Sequence, residues 1–479
     1  MLNYRSTRLQ APIVPSVSAL VNGLAPDGGL YLPEQLPVFD VRALLPLSYE
    51  ARAVMVLQAF FEDLDPQELQ RGIQRALSRF DTPAIVPVTR CGTRWLLELD
   101  HGPTAAFKDI ALTLLPALMG LAKQVTHDAS VTHILTATSG DTGSAALAGF
   151  AGVPGFFVDV FYPSRGISII QQRQMTTVKA SNVRVTAIQG NFDDAQHAVK
   201  TIFGQADRFP FKLSSANSIN IGRLMPQVVY YVSMYADLVN AGAIEMGQPV
   251  DVAVPSGNFG NLLAAYLAKR CGVPLERLIC ASNENHVLTD FFQTGCYDRN
   301  RPFTVTSSPS MDILVSSNLE RLLSLVGAQD RVSGWMDALA KTGTYTVDEP
   351  TLRALQSEFI AEWVDEATVA DTIASTFTQD HRLIDPHTAV AMAAAMRHVS
   401  DRPMVIASTA SPFKFPATVL RALGHAVDAD DVVNLQRLEK VSGLRCPAAL
   451  AACLEAPIVH TQSLKPQALF PYLREKELP

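Results

Sequence analysis

Long apolar runs are missing from the 479 residues. The longest candidate, 111–122, is broken by Thr113, Pro116 and Gly120 and falls far short of the roughly 20 residues that cross a bilayer. No membrane span is expected. Charge is also scarce, at 18% against about 25% in ordinary soluble domains, while 48% of the residues are hydrophobic, so much of the chain must be buried. That excludes a disordered chain. Basic charge is in deficit, with a net charge of −7, which argues against a surface for a nucleic-acid backbone. The six cysteines (Cys91, Cys271, Cys280, Cys296, Cys446, Cys453) form no Cys-x-x-Cys pair, so neither a zinc site nor a disulfide framework is expected. The ten histidines lack His-x-x-x-His and His-Glu-x-x-His spacing, and no Gly-x-Ser-x-Gly occurs, which leaves no metal and no hydrolase elbow to expect. His101, His286 and His387 read as partnered or surface histidines rather than catalysts. Met1-Leu-Asn-Tyr-Arg-Ser-Thr-Arg8 has no apolar segment after its charges, so no secretory signal is expected and a cytoplasmic protein is the default. Solenoid repeats and low-complexity tracts are absent as well.

What is present is a recurring local pattern: a short apolar run, a turn rich in Gly, Ser, Thr or Asn, then an alanine-rich helical stretch. It occurs at 131–136 before Ser139-Gly-Asp-Thr-Gly143, at 183–188 before Gly190-Asn-Phe-Asp193, at 251–254 before Pro255-Ser-Gly-Asn-Phe-Gly260, and at 403–407 before Ser408-Thr-Ala-Ser-Pro412. Such alternation predicts an α/β protein with mostly parallel sheets, whose ligands collect at the carboxyl ends of the strands. The proline-rich residues 1–85 read as an N-terminal module. A small α/β domain is expected over 131–205 and a large one over 86–130 and 206–479, with the site between them. The stretch 309–385 is helical in pattern.

Three turns carry chemistry. In His101-Gly-Pro-Thr-Ala-Ala-Phe-Lys-Asp109 the segment after the Gly-Pro turn starts a helix, with Thr104 as its expected N-cap and Lys108 in its first turn. A surface lysine is the plain reading. A cation gains nothing there from the helix dipole, however, and Phe107 and Ile110 suggest an apolar setting in which the amine loses its proton readily and becomes a nucleophile. Pro255-Ser-Gly-Asn-Phe-Gly-Asn261 lies between a buried strand and a helix, where backbone N–H groups can cradle a phosphate, although an ordinary βα turn has the same composition. Thr138-Ser-Gly-Asp-Thr-Gly-Ser144 repeats that architecture with more hydroxyls. Two anion-binding turns and one lysine suggest a phosphorylated cofactor and an acidic substrate. The turn at 408–411 offers neutral hydroxyls suited to an unprotonated ring nitrogen.

These segments, with Asn217-Ser-Ile-Asn-Ile-Gly-Arg223, Ser308-Pro-Ser-Met-Asp-Ile-Leu-Val-Ser-Ser-Asn318 and Thr409-Ala-Ser-Pro-Phe-Lys414, resemble in order the motif set of the threonine synthase family, long microbial and fungal class. The likeness runs from Tyr4-Arg-Ser-Thr-Arg8 past residue 420. It implies a fold type II enzyme, built like the tryptophan synthase β chain, that uses pyridoxal 5'-phosphate to make L-threonine and phosphate from O-phospho-L-homoserine and water. By resemblance Lys108 is the cofactor-bearing and proton-shuttling lysine. Phe107 packs near the ring, Ser256, Gly257, Asn258, Phe259, Gly260 and Asn261 hold the cofactor phosphate, and Thr409 faces the ring nitrogen. Ser139, Gly140, Asp141 and Thr142 take the substrate carboxylate and the region of the ring hydroxyl, and Asn217, Ser218, Asn220 and Arg223 take the substrate phosphate. A small-molecule substrate and a monomer are expected, with a dimer as the alternative. Ala105 stands where leucine is frequent, Ser411 and Phe413 replace a frequent histidine and alanine, and Asp141 stands where related enzymes often carry asparagine. A threonine or serine dehydratase on the same scaffold and a non-catalytic cofactor-binding homologue are the competing readings. The phosphate-directed 217–223 motif argues against the first, and the intact Lys108 against the second.

Overall fold

The structure is a computed structural model that describes residues 2–164, 167–190, 192–205 and 208–475, so Asn191 of the Gly190 turn lies outside the described residues. Two sheets organise the chain. The larger has six strands in the order Phe359–Trp363, Leu275–Ser282, Val250–Pro255, Met404–Ser408, Arg94–Glu98 and Val88–Cys91. Every pairing in it is parallel except that of Val88–Cys91 with its neighbour. The smaller is parallel throughout and runs Ser463–Leu464, Val183–Ile188, Phe156–Pro163, Thr132–Ala137 and Lys212–Ser215. Its two edge strands come from outside the 131–205 segment, so the small layer recruits chain from both sides of the large one.

The central strands are continuous apolar runs because a parallel sheet is covered by helices on both faces. All six residues of Thr132–Ala137 and of Val250–Pro255 are buried. Helix Ile221–Asn240 is buried along most of its length and packs on Tyr49–Phe60 of the N-terminal region and on Gly260–Arg270. One apolar cluster therefore runs from Tyr4 and Phe60 through Tyr231 to Val252 and Leu262, which makes the N-terminal region part of the large layer's core. Among the described residues no helix is long and apolar enough to cross a membrane.

Local structure departs from the sequence reading in three places. Thr104 does not cap a helix: its N–H and hydroxyl both donate to the Asp109 carboxylate, at 2.8 and 2.6 Å. The apolar stretch after Lys108 is two helices, Lys108–Leu112 and Leu115–Val125, with Pro116 in the first turn of the second, where its missing N–H does no harm. The helical stretch 309–385 also contains the edge strand Phe359–Trp363.

Candidate active site

The turns that leave strands Thr132–Ala137, Lys212–Ser215, Val250–Pro255 and Met404–Ser408 converge on one cavity of about 370 Å³, within the range of small-ligand pockets. Both sheets thus point their carboxyl ends at it. Its walls include Phe107, Lys108, Ser139, Asp141, Thr142, Asn217, Ser218 and Arg223, the residues 256–261, and Thr409.

The 256–261 turn is shaped as an anion cradle. Phe259 adopts the left-handed conformation, φ 62°, at the N-cap of helix Gly260–Arg270, and its buried ring packs against Phe292 and Phe359. The carbonyls of Gly257 and Asn258 turn outward and accept from Ser316 Oγ at 2.8 Å and Asn318 Nδ2 at 3.0 Å. The backbone N–H groups of residues 257–261 are left without protein partners among the described residues. A Cβ on Gly257 would stand 2.8 Å from the carbonyl oxygen of Ser310, so only glycine lets the two segments approach this closely. Asn261 Oδ1 accepts from Tyr230 and Tyr231, both at 2.6 Å, while its buried Nδ2 has no partner among the described residues. The Thr409 N–H donates to the Thr388 hydroxyl at 3.3 Å, and Thr409 lines the cavity with its own hydroxyl lacking a protein partner among the described residues.

Lys108 opens helix Lys108–Leu112 and its side chain is only 11% exposed. Its Nζ lies 3.3 Å from Ser310 Oγ, 3.8 Å from Asp141 Oδ2 and 5.8 Å from the Phe107 ring. Burial pushes its pKa down to about 8, against the pull of Asp141 and with the repulsion of Lys414 and Arg223. Asp141 opens helix Asp141–Phe150, where the dipole favours an anion. Burial alone would raise its pKa, but Lys414 and Lys108 hold the carboxyl well below the usual range. Its Oδ1 meets Lys414 Nζ at 2.7 Å and Gln171 Nε2 at 2.9 Å, and its Oδ2 accepts from Ser310 Oγ at 3.0 Å. A carboxylate so engaged cannot receive another, whereas Ser139 and Thr142 of that turn line the cavity with hydroxyls that have no protein partner among the described residues. Gly140 lies behind the wall, with its N–H on Thr138 Oγ1 at 2.9 Å.

Arg223 is 3% exposed. One of its Nη atoms donates to the carbonyl of Ala216, its Nε has no partner, and no carboxylate pairs with it among the described residues. Burial pushes its pKa down to about 10. A buried guanidinium in that state is poised for an incoming anion. Asn217 and Ser218 line the same wall, and Ser218 Oγ accepts from Asn318 Nδ2 at 2.9 Å. Asn220 does not line the cavity. It caps helix Ile221–Asn240, with Oδ1 taking the Gly222 N–H at 2.8 Å and Nδ2 donating to Leu20 O at 3.1 Å, so both ends of the amide serve the fold.

The sequence reading gave no role to Ser310, Gln171 or Lys414 and dismissed His387. His387 lines the cavity, and its Nε2 accepts the Ser310 N–H at 3.2 Å. The ring proton is therefore assigned to Nδ1, which faces Asp385 Oδ1 at 2.7 Å. His101 and His286 are likewise partnered, by Asp81 with Glu98 and by Asp290. One amine, a cradle of free N–H groups, a partnerless hydroxyl and a second cationic wall suit the phosphorylated cofactor and acidic substrate that the resemblance implies.

Comparison with known proteins supports the cofactor. The family model described as Threonine synthase N terminus matches residues 3–77, Pyridoxal-phosphate dependent enzyme matches 82–409, and Threonine synthase, C-terminal matches 388–445. Threonine synthase-like 1 of Homo sapiens is 40% identical over 430 residues, covering 85% of this chain but 57% of its own length, so the chain spans little more than half of that relative. Threonine synthase of Saccharomyces cerevisiae is 36% identical over 92% of this chain and 93% of its own. The X-ray crystal structure of PLP-bound threonine synthase from Brucella melitensis superposes with a TM-score of 0.89 at 38% identity, covering 99% of each chain. The chain belongs to the threonine synthase family of pyridoxal-phosphate-dependent enzymes.

Proposed function

We propose that this chain is a lyase acting on a phosphate ester, converting O-phospho-L-homoserine and water into L-threonine and phosphate. The observation that carries the reading is Arg223, a buried guanidinium without a carboxylate partner among the described residues, in the same cavity as Lys108 and the 256–261 cradle. Two anion-receiving places flank one amine, whereas a dehydratase substrate has no phosphate to fill the second.

Pyridoxal phosphate, when bound, supplies the electron sink that makes protons on the substrate carbons removable. The chain's residues do the rest. The N–H groups of residues 257–261 receive the cofactor phosphate, Lys108 holds the cofactor through its amine, and the Thr409 hydroxyl meets the ring nitrogen as a neutral partner. Ser139 and Thr142 receive the substrate carboxylate, which fixes the reacting carbons beside Lys108. An amine with a pKa near 8 exchanges protons readily near neutrality, so Lys108 is suited to take them from Cα and Cβ, return one to Cγ before water adds at Cβ, and return the other to Cα. Asn217, Ser218 and Arg223 bind the phosphate and stabilise the dianion as it leaves. The same reading expects a monomer working in the cytoplasm, to be checked by light scattering and fractionation.

The test is turnover by the full-length chain loaded with pyridoxal phosphate: equal amounts of phosphate and threonine released from O-phospho-L-homoserine are expected. No release, together with deamination of serine or threonine, would replace this reading with the dehydratase.

A further inference from the structure

Asp141 has two cationic neighbours, held unequally. Lys414 Nζ stands 2.7 Å from Oδ1 and also donates to the carbonyl of Thr104 at 2.9 Å. Lys108 Nζ is 3.8 Å from Oδ2, beyond hydrogen-bond reach. It meets that oxygen through Ser310, whose hydroxyl accepts from Lys108 at 3.3 Å and donates to Oδ2 at 3.0 Å. Lys414 has no exposed surface and is not among the cavity-lining residues, so it does not greet a ligand. Burying an ammonium is unfavourable unless it is paired and hydrogen-bonded, and here both conditions are met. The turn Pro412–Lys414 that carries it is capped by Ser411, whose Oγ accepts the Phe413 N–H at 3.4 Å.

We propose that Lys414 is a positioning residue of this site: it takes up the charge of Asp141, so that the carboxylate orients Lys108 through Ser310 without clamping it as an ion pair. The inference rests on the reading of Lys108 as the reacting amine. An uncompensated carboxylate at that distance in a water-poor pocket would hold the lysine proton firmly. The charged groups facing Lys108 are Asp141, Lys414, Arg223 and Asp109, the last of these turned to Thr104. Those facing Asp141 are Lys414 and Lys108, with His387 beside them as a neutral ring whose Nε2 accepts the Ser310 N–H. Among the described residues, Lys414 alone is a cation within hydrogen-bond reach of the carboxylate, and it lies outside the cavity wall.

The test follows the ionisation of Lys108 in the full-length chain freed of cofactor, by competitive acetylation with acetic anhydride from neutral to alkaline pH and peptide mapping. K414M should raise the Lys108 midpoint by about one pH unit, because Asp141 then pulls on Lys108 alone. K414R should leave it near the parent value, and adding D141N to K414M should bring it back down. An unmoved midpoint in folded K414M overturns the proposal. A lysine with only a structural role would lower thermal stability and leave the titration of Lys108 alone. Should K414M fail to fold by circular dichroism, D141N decides: loss of the anion should lower the Lys108 midpoint, and no change overturns the proposal. Turnover is not read, so an inert O-phosphohomoserine would overturn the proposed reaction only. An unmoved midpoint in a chain that makes threonine would overturn only the role of Lys414.

Discussion

Lys108 is the residue on which chemistry and stability meet. Borohydride reduction of the holoprotein followed by peptide mapping should find the cofactor on the Lys108 peptide. Lys108→Ala should lower turnover by on the order of a thousandfold or more, because nucleophile and proton carrier vanish together. Its ionisation also leaves a mark on folding. An unfolded lysine keeps its proton to about pH 10.4, whereas Lys108 in the fold releases it near 8. Between those values the unfolded chain binds more protons, so the contribution of this group to stability rises with pH across the window. Asp141 acts on the acid side. Held ionised below the usual range, it stabilises fully above about pH 4, and that contribution is lost as the pH falls further. Urea unfolding across pH should show both slopes, and Asp141→Asn should flatten the acid one. Arg223→Ala should lower kcat/KM for O-phosphohomoserine at least about tenfold, the size of a charge-assisted contact of about 1.5–3 kcal/mol, while the cofactor spectrum stays as in the parent. Near-normal kinetics would remove Arg223 from the phosphate pocket.

At the scale of elements, Lys108 and Asp141 depend on how two short helices touch. Gly149 of helix Asp141–Phe150 packs so closely on Lys108–Leu112 that a Cβ there would stand 2.0 Å from the carbonyl oxygen of Leu112. Gly149→Ala should therefore force the helices apart and destabilise by about 1–3 kcal/mol, read as a shift in the urea midpoint, with a changed visible spectrum of the holoprotein. Three of the four strands that carry the site were legible in sequence for a physical reason, whereas Lys212–Ser215, a short edge strand with a polar sequence, was not. Parallel strands buried on both faces read as unbroken apolar runs, and the turns after them need Gly, Ser and Thr, as at 138–144 and 255–261. Phe359–Trp363 was not, because an edge strand of mixed polarity inside helix-rich sequence leaves no distinctive period. Asn220 sits in a motif but faces the helix it caps, and spacing alone does not say which way an amide points. The contacts of Lys414, Ser310 and His387 were illegible for another reason: each joins segments far apart in the chain, so no local pattern records it.

For the whole molecule, the small sheet depends on the end of the chain. Strand Ser463–Leu464 pairs with Val183–Ile188, and Leu469 and Leu473 of helix Leu469–Glu475 are buried in the cluster that holds Phe161 and Ile188. Removing residues 461–479 should expose that edge and face. Hydrogen exchange should then quicken in Val183–Ile188 while Val250–Pro255 of the six-stranded sheet keeps its protection. Equal loss in both sheets would mean that the two layers unfold as one. The placement of the buried charges has a further consequence. Asp141 follows a strand of the small sheet, whereas Lys108 and Lys414 follow strands of the large one, so the charge cluster straddles the seam between the layers. Any ligand that shifts one layer against the other alters the proton affinities of these groups. Its heat of binding should then vary with the ionisation enthalpy of the buffer, making calorimetry in two buffers a proton counter for movement at the seam.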